Sequence, residues 1–170
     1  MSASLYGTNV QSFSIRDMTS GDLKTAWLIN QANVPAVGDE TMTSFREIFD
    51  VCSLSLVVEV NSTMAGFCMI LPPGTSYESP NYLYFCEHFG SFAYLDRVAF
   101  ADGHRGIGLG AALYREVESR LDADYLTLEV NVKPRNEGSL RFHSREGFVE
   151  VDQLETRPGK VVSLMAKRLR

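Results

Sequence analysis

One stretch of the chain constrains the fold more than any other. Over residues 92–132 an apolar segment, a glycine-rich loop, an amphipathic segment and a second apolar segment follow one another. Their patterns predict a strand over 92–101, a helix over 109–121 and a strand over 125–132. A strand–helix–strand unit of this kind belongs to a sheet that is covered by helices. The sequence therefore predicts a mixed sheet with helices on both faces.

The rest of the chain supplies further strands and helices in alternation. Apolar, partly β-branched runs at 54–60 and 64–71 flank Asn61-Ser62-Thr63 and predict a β-hairpin. We expect a mixed, mostly antiparallel α/β sheet of six to seven strands. The other predicted elements are a first strand near Phe13 and Ile15, helices near 20–33, 42–52 and 136–146, a short helix in the aromatic stretch 75–90, and closing strands at 148–153 and 161–169.

Length and composition bound the class of protein. A chain of 170 residues predicts one domain over 1–170, and a net charge of -5 disfavours a broad nucleic-acid-binding surface. The start of the chain lacks the features of a signal peptide, and no segment approaches the roughly 20 apolar residues that span a bilayer. Three widely spaced cysteines without metal-ligand spacing, Cys52, Cys68 and Cys86, indicate reduced thiols, a cytoplasmic location and no metal site.

The loop His104-Arg105-Gly106-Ile107-Gly108-Leu109-Gly110 lies between a predicted strand and a predicted helix. The N–H groups at a helix start are unpaired and the helix dipole favours anions there. Glycines let the backbone approach a phosphate closely. The loop therefore predicts a diphosphate site, and the alternative is a tight turn that needs glycine only for its conformation.

Several phosphate ligands are compatible with such a loop. It lacks the Gly-Lys-Ser/Thr of a nucleoside-triphosphate P-loop. Gly106, Gly108, Ala111 and the later Glu129 loosely match a dinucleotide fingerprint. Only one further strand–helix pair follows, which is too few for a dinucleotide-binding sheet.

Two segments together resemble the GNAT superfamily of N-acetyltransferases. Phe100, Arg105, Gly108 and Gly110 match the spacing of its acetyl-CoA motif, although the family usually has Val or Ile where Phe100 stands. A second family segment is matched by Asn136, Ser139, Phe142 and the pair Gly147-Phe148.

The resemblance implies acetyl-CoA as cosubstrate and a small-molecule amine as acceptor. It implies that strand backbone at 98–100 pairs with the pantetheine arm, that amides over 105–111 hold the diphosphate, and that residues near 136–142 line the other side of the cofactor. The larger Phe100 ring is expected to narrow the acyl pocket. The implied cofactor-binding residues are Val98, Ala99, Phe100, Arg105, Gly106, Ile107, Gly108, Leu109, Gly110, Ala111, Asn136, Ser139 and Phe142.

Acetyl transfer to an alkyl amine of pKa around 10 needs a base for the ammonium and a proton for the departing thiolate. Asp96 interrupts an apolar strand and is the candidate base, with an ion pair to an arginine as its alternative role. His143 stands where family members often have a tyrosine acid and is the candidate proton donor. Tyr82 or Tyr84 is an alternative donor. A strand amide near 98–99 is expected to meet the oxyanion.

These residues favour an N-acetyltransferase for a small amine or amino-acid-like acceptor. A non-catalytic acyl-CoA sensor, a dinucleotide-dependent oxidoreductase and a covalent route through Cys86 beside His88 are the alternatives. The aromatic stretch 75–90 is expected to roof the acceptor pocket, to form a homodimer contact or to be a hydrophobic cluster. Asp39 and Glu40 are candidates to attract a cationic acceptor.

Overall fold

The structure is a computed structural model that describes the backbone of residues 2–4 and residues 12–170 in full. The chain divides into two compact units, Met1–Ile70 with Arg97–Arg120, and Leu71–Asp96 with Leu121–Arg170. We call them the first and the second unit. The expectation of one domain over 1–170 stays a prediction.

The described residues form strands and helices in a mixed order along the chain. The elements in order are β1 (Ser2–Ser4), β2 (Ser12–Asp17), α1 (Leu23–Ala32), α2 (Met42–Val51), β3 (Leu54–Val60), β4 (Thr63–Leu71), α3 (Pro80–His88), β5 (Phe92–Phe100), α4 (Leu109–Arg120), β6 (Tyr125–Lys133), α5 (Glu137–Arg145), β7 (Val149–Arg157) and β8 (Lys160–Arg168).

In the first unit the strand order is β1-β2-β3-β4, and each of these pairs is antiparallel. The predicted hairpin between β3 and β4 is present. Its turn residues Asn61 and Ser62 both have positive φ, 51° and 63°, as a two-residue turn that follows the strand twist requires.

Helices of the first unit cover both faces of β4. Successive strand residues point to opposite faces. Phe67 makes an edge contact with Phe45 of α2, with ring centroids 5.7 Å apart. The next residue, Cys68, is fully buried and lies within electrostatic range of Arg120 at the end of α4. The predicted layering therefore holds in this unit.

In the second unit the order is β5-β6-β8-β7. Strands β5 and β6 are parallel, with Phe92 opposite Tyr125, while β6 with β8 and β8 with β7 are antiparallel. Helix α3 packs its buried Tyr82 and Phe85 against the start of β5. The centroids of their rings lie 6.4 and 6.2 Å from the centroid of the Phe92 ring.

The fold prediction is confirmed as a mixed α/β, mostly antiparallel sheet. All seven predicted strands are present, and the short β1 adds an eighth to the described part of the chain. The predicted first helix begins later than expected, because Ser20–Asp22 form one turn of 3-10 helix before α1. No helix among the described residues is both long enough and apolar enough to span a bilayer.

Candidate functional site

The glycine loop joins the end of β5 to the start of α4 in the first unit. Gly103, Gly106 and Gly108 all have positive φ, at 83°, 71° and 86°. Side chains other than glycine seldom adopt this conformation. At Gly106 no heavy atom lies within 4 Å of the position that a Cβ would occupy. The backbone there is open to an incoming group.

Helix α4 places its first-turn N–H groups at the end of this loop. It begins at Leu109 and runs for 12 residues, so Gly110 and Ala111 lie in its first turn. Amides in a first turn lack intrahelical acceptors and carry the positive end of the dipole. The predicted diphosphate segment, Arg105 to Ala111 with the exposed Ile107 within it, runs without a break from this loop into the first turn of α4, and its role as an anion site stays a prediction.

Arg105 has contacts of its own within the protein. Its Nη2 donates to Asn33 Oδ1 at 2.6 Å and to the Phe100 carbonyl oxygen at 3.5 Å, and lies 3.6 Å from an Asp102 carboxylate oxygen. The side chain is 54% exposed. Arg105 therefore connects the loop to the end of α1.

The last residues of β5 lie beside β4. The Ala101 amide donates to the Ala65 carbonyl at 2.8 Å. A Cβ on Gly66 would stand 2.4 Å from a Phe100 ring carbon and 2.8 Å from the Ala99 carbonyl oxygen. The Phe100 ring therefore occupies the space above a glycine of β4. Of the strand segment predicted to pair with pantetheine, Val98 to Phe100, the Phe100 carbonyl already accepts from Asn33 Nδ2 at 3.1 Å.

Arg97 is a buried cation that the sequence analysis did not single out. It is 4% exposed, donates to Asn30 Oδ1 at 3.1 Å and to Glu40 Oε1 at 3.0 Å, and stands over the Phe45 ring. Glu40, a candidate for attracting the acceptor, is therefore an ion-pair partner that holds the loop between α1 and α2. Asp39 accepts a hydrogen bond from Gln31 at 2.7 Å.

The second unit contains a cluster of carboxylates and a phenol, which we call the Tyr94 cluster: Tyr94, Asp96 and Glu129. The fully buried Tyr94 donates from its hydroxyl to Glu129 Oε2 at 2.5 Å. Burial raises the pKa of Tyr94, and the nearby Glu129, Asp96 and Tyr77 raise it further. Two half-buried carboxylates thus lie close to one buried phenol. Their negative charge favours a cation beside the cluster.

Glu129 was predicted only as part of the loose dinucleotide fingerprint. Alternation along β5 puts Asp96 on the same face as Tyr94. The hydrogen bond to Tyr94 adds Glu129 of β6 to that face. A polar residue inside an otherwise apolar strand is the signal that identified Asp96, and the same signal applies to Glu129.

His143 is 5% exposed, and its ring makes edge contacts with those of Phe142 and Phe148, with centroids 5.1 and 5.5 Å apart. Its Nδ1 lies 2.8 Å from the Ser139 carbonyl oxygen, which only a protonated Nδ1 can satisfy. Burial lowers the pKa of His143, and the Ser139 contact opposes part of that shift. The neutral ring with the proton on Nδ1 is the favoured form.

Asn136 and Ser139 form the N-terminal cap of α5. Asn136 Oδ1 accepts from the Ser139 amide at 3.2 Å. Phe142 follows Ser139 by about one turn of the same helix. The three predicted cofactor residues of this segment therefore lie on one short helix and its cap. Their predicted contact with the cofactor stays a prediction.

The aromatic stretch 75–90 is held by Tyr82. The Tyr82 hydroxyl donates to the Pro72 carbonyl at 2.7 Å and accepts from the Thr75 amide at 2.9 Å. The His88 ring stacks on Tyr84 at 4.0 Å, and its Nδ1 bonds the Tyr84 carbonyl rather than Cys86. Tyr82 and Phe85 of this stretch are buried, as a hydrophobic cluster requires, and its expected roles as a roof of the acceptor pocket or a homodimer contact stay predictions. The His88 geometry gives the Cys86 route no support.

No group of three or more His, Cys, Asp or Glu side chains capable of holding a metal ion occurs within residues 12–170.

Comparison with known proteins gives a consistent result. A model of the acetyltransferase (GNAT) family matches residues 23–148. Comparison with curated protein sequences finds no significant match.

Many solved structures share the fold at low identity. The ribosomal-protein-S18-alanine N-acetyltransferase from Escherichia coli aligns with a TM-score of 0.71 and 20% identity, over 92% of this chain and 94% of its own. The spermidine N-acetyltransferase from Vibrio cholerae, solved with CoA and spermine, gives 0.67 and 18%, over 92% and 95%. Naa50 from Arabidopsis thaliana, solved with the bisubstrate analogue CoA-Ac-MVNAL, gives 0.67 and 15%, over 91% and 97%.

Proposed function

The chain belongs to the acetyltransferase (GNAT) family, and from that premise we propose that it transfers an acetyl group from acetyl-CoA to the amine of a small-molecule or amino-acid-like acceptor. The amine nitrogen attacks the thioester carbonyl, the carbon–sulfur bond breaks, the amine loses a proton and the CoA thiolate gains one.

The observation that carries the proposal is the glycine loop at the start of α4. Positive φ at Gly106 and Gly108, with open space above Gly106, supports close approach of a diphosphate to backbone amides. The proposed diphosphate ligands are the amides from Arg105 to Ala111. Val98 to Phe100 are proposed to contact the pantetheine arm, and Asn136, Ser139 and Phe142 stay proposed cofactor contacts on the strength of the motif.

The Tyr94 cluster is the proposed amine site. An alkyl amine is mostly ammonium at neutral pH, so a site for it benefits from negative charge and needs a proton acceptor. Asp96 is the proposed base, acting directly or through water. Glu129, held by the Tyr94 hydroxyl at 2.5 Å, supplies a second carboxylate that stabilises the bound ammonium before it loses its proton.

His143 stays the proposed proton donor for the thiolate, and its geometry sets a condition on that role. With Nδ1–H engaged by Ser139, a proton is donated from Nε2 only when the ring is an imidazolium. Because burial lowers the pKa of His143, this donor is available at acid pH and is lost as pH rises through the lowered pKa. A turnover rate that falls as the pH rises through this pKa supports His143 as the proton donor. If replacement of His143 leaves the turnover rate unchanged, Tyr84 or water is the donor instead.

The test has two parts. Calorimetry measures acetyl-CoA binding, with NAD as the competing ligand, and thiol release is followed over polyamines, amino acids, aminoglycosides and peptide N-termini. We expect CoA binding and turnover with at least one amine, and Asp96→Asn should reduce turnover while CoA binding is retained. Absence of acetyl-CoA binding at millimolar concentration, or binding of NAD instead, would overturn the proposal.

A non-catalytic acyl-CoA sensor is the second candidate, and one observation favours it. The residue at the donor position, His143, is buried with its neutral form favoured. Sustained CoA release with any acceptor excludes a sensor, and tight CoA binding without release from the whole panel supports it. The cytoplasmic location and the homodimer stay predictions.

A further inference from the structure

We propose that Asn33 is a positioning residue for the diphosphate loop, acting through Arg105. The inference rests on the proposed function, because it concerns how the same loop is prepared for CoA. Asn33 lies at the C-terminal end of α1, outside the two sequence segments that match the family motif.

The Asn33 amide uses both of its chemical characters. Its Nδ2 donates to the Ile29 carbonyl at 2.7 Å and to the Phe100 carbonyl at 3.1 Å, while its Oδ1 accepts from Arg105 Nη2 at 2.6 Å. An aspartate at this position lacks the two donors, and an aliphatic side chain lacks all three bonds. One side chain therefore joins a helix end, a strand end and the glycine loop.

The three partners differ in how firmly they are held. Helix α1 is anchored by buried residues that include Ala26 and Ile29. The segment between β5 and α4 contains three glycines with positive φ and exposed side chains around them. Ordering such a segment when a ligand binds costs conformational entropy. A bond from Asn33 to Arg105 fixes part of the segment in advance.

The geometry also leaves donors for the ligand. Within the described part of the chain, every hydrogen bond and ion pair of the Arg105 guanidinium is made through Nη2. Nη1 and Nε stay available as donors to a phosphate oxygen, and a guanidinium held at one nitrogen offers the others in a fixed plane. Asn33 thus orients Arg105 without consuming its capacity to bind an anion.

The experiment is a double-mutant cycle on CoA affinity, measured by calorimetry on the full chain. Loss of one hydrogen bond to a charged group corresponds to roughly a tenfold weaker Kd for Asn33→Ala. The same substitution in an Arg105→Ala background should change the Kd by less than about twofold, because the residue through which Asn33 acts is absent. Asn33→Asp retains the acceptor for Arg105 and should bind CoA more tightly than Asn33→Ala.

Gln31→Ala is the matched control. Gln31 lies in the last turn of α1, donates to Asp39 of the following loop at 2.7 Å, and accepts from Asn30 Nδ2 and the Glu40 amide. Its loss therefore perturbs that loop without removing a hydrogen bond of Arg105 or of the Phe100 carbonyl. We expect its CoA Kd to equal that of the wild type. Thermal melts check that each variant is folded, and Asn33→Ser replaces Asn33→Ala in the cycle where the alanine variant does not fold.

The outcomes separate the two proposals. If the wild-type protein does not bind CoA, the proposed function fails. If the wild type binds CoA and Asn33→Ala binds it equally well, the proposed function stands and the role of Asn33 is refuted. The same conclusion follows if Asn33→Ala weakens CoA binding by the same factor whether or not Arg105 is present. A further readout follows the same logic: the KM for acetyl-CoA should rise while kcat at saturation is little changed.

Discussion

Replacing Gly106 by alanine separates the conformational role of this glycine from its role in binding. Its φ of +71° lies in the left-handed region, and its hypothetical Cβ meets no heavy atom within 4 Å. The variant therefore carries backbone strain but no steric clash in the free protein. Any additional effect on ligand affinity must come from the methyl group standing where the ligand approaches.

Gly159 in the turn between β7 and β8 provides a matched control. Its φ is +81° and its Cβ position is equally open. The conformational cost of alanine is about 1 kcal/mol at either position. For a chain of this size that cost lowers the Tm by roughly 2–4 °C, so the two variants should show similar thermal melts.

Affinity for CoA should distinguish the two variants. A methyl group at Gly106 keeps a phosphate oxygen from approaching the loop amides and weakens at least one charge-assisted hydrogen bond. Such bonds contribute about 1.5–3 kcal/mol, which corresponds to a roughly 10- to 100-fold weaker Kd. Gly159→Ala should leave the Kd unchanged.

Calorimetric titration of CoA into both variants, with melts recorded in parallel, checks the prediction. Equal Kd values for Gly106→Ala and the wild type, at equal loss of Tm, would show that the loop does not approach the ligand. Loss of affinity in both variants would show that general destabilisation is responsible. Either result would leave the proposed diphosphate site without support.

Three further predictions concern stability. Gly66→Ala should cost about 1–3 kcal/mol in urea unfolding because its Cβ would stand 2.4 Å from a Phe100 ring carbon, and a cost that is not smaller in a Phe100→Ala background would contradict this reason. Hydrogen bonds from Arg16 lower the pKa of Asp22 from 3.8 to about 2. Asp22 should therefore contribute roughly 1–2 kcal/mol to the free energy of unfolding above about pH 4, and this contribution should be lost as the pH falls towards 2. Acid titration of Asp22→Asn should show no such loss. Burial lowers the pKa of His143 from 6.5; the unfolded chain therefore binds the proton more readily, and unfolding free energy should fall as pH drops below about 6.5 in the wild type but not in His143→Gln.

The sequence determined the elements and the conformation of the glycine loop, because both depend on local information. Hydrophobic periodicity located the seven longer strands within a few residues, and Asn61-Ser62-Thr63 located the hairpin turn. The unusual backbone conformation at Gly106 and Gly108 could be predicted from the sequence, because the freedom to adopt positive φ is a property of each glycine alone.

Residues whose role depends on a distant partner were less accessible. Glu40 was expected to attract an acceptor, but a buried Arg97, 57 positions away in the chain, pairs with it. Asn33 acquires its contact with Phe100 across 67 positions. No spacing rule in the sequence brings these pairs together.

The tertiary structure also decided chemical character. Whether His143 is a ready proton donor depends on its burial and on the Ser139 carbonyl, and whether Glu129 is a surface carboxylate or a partner of Tyr94 depends on the parallel pairing of β5 with β6. Local sequence determines backbone conformation because short-range sterics dominate there. Desolvation and charge pairing set proton affinity, and both arise only when remote segments pack together.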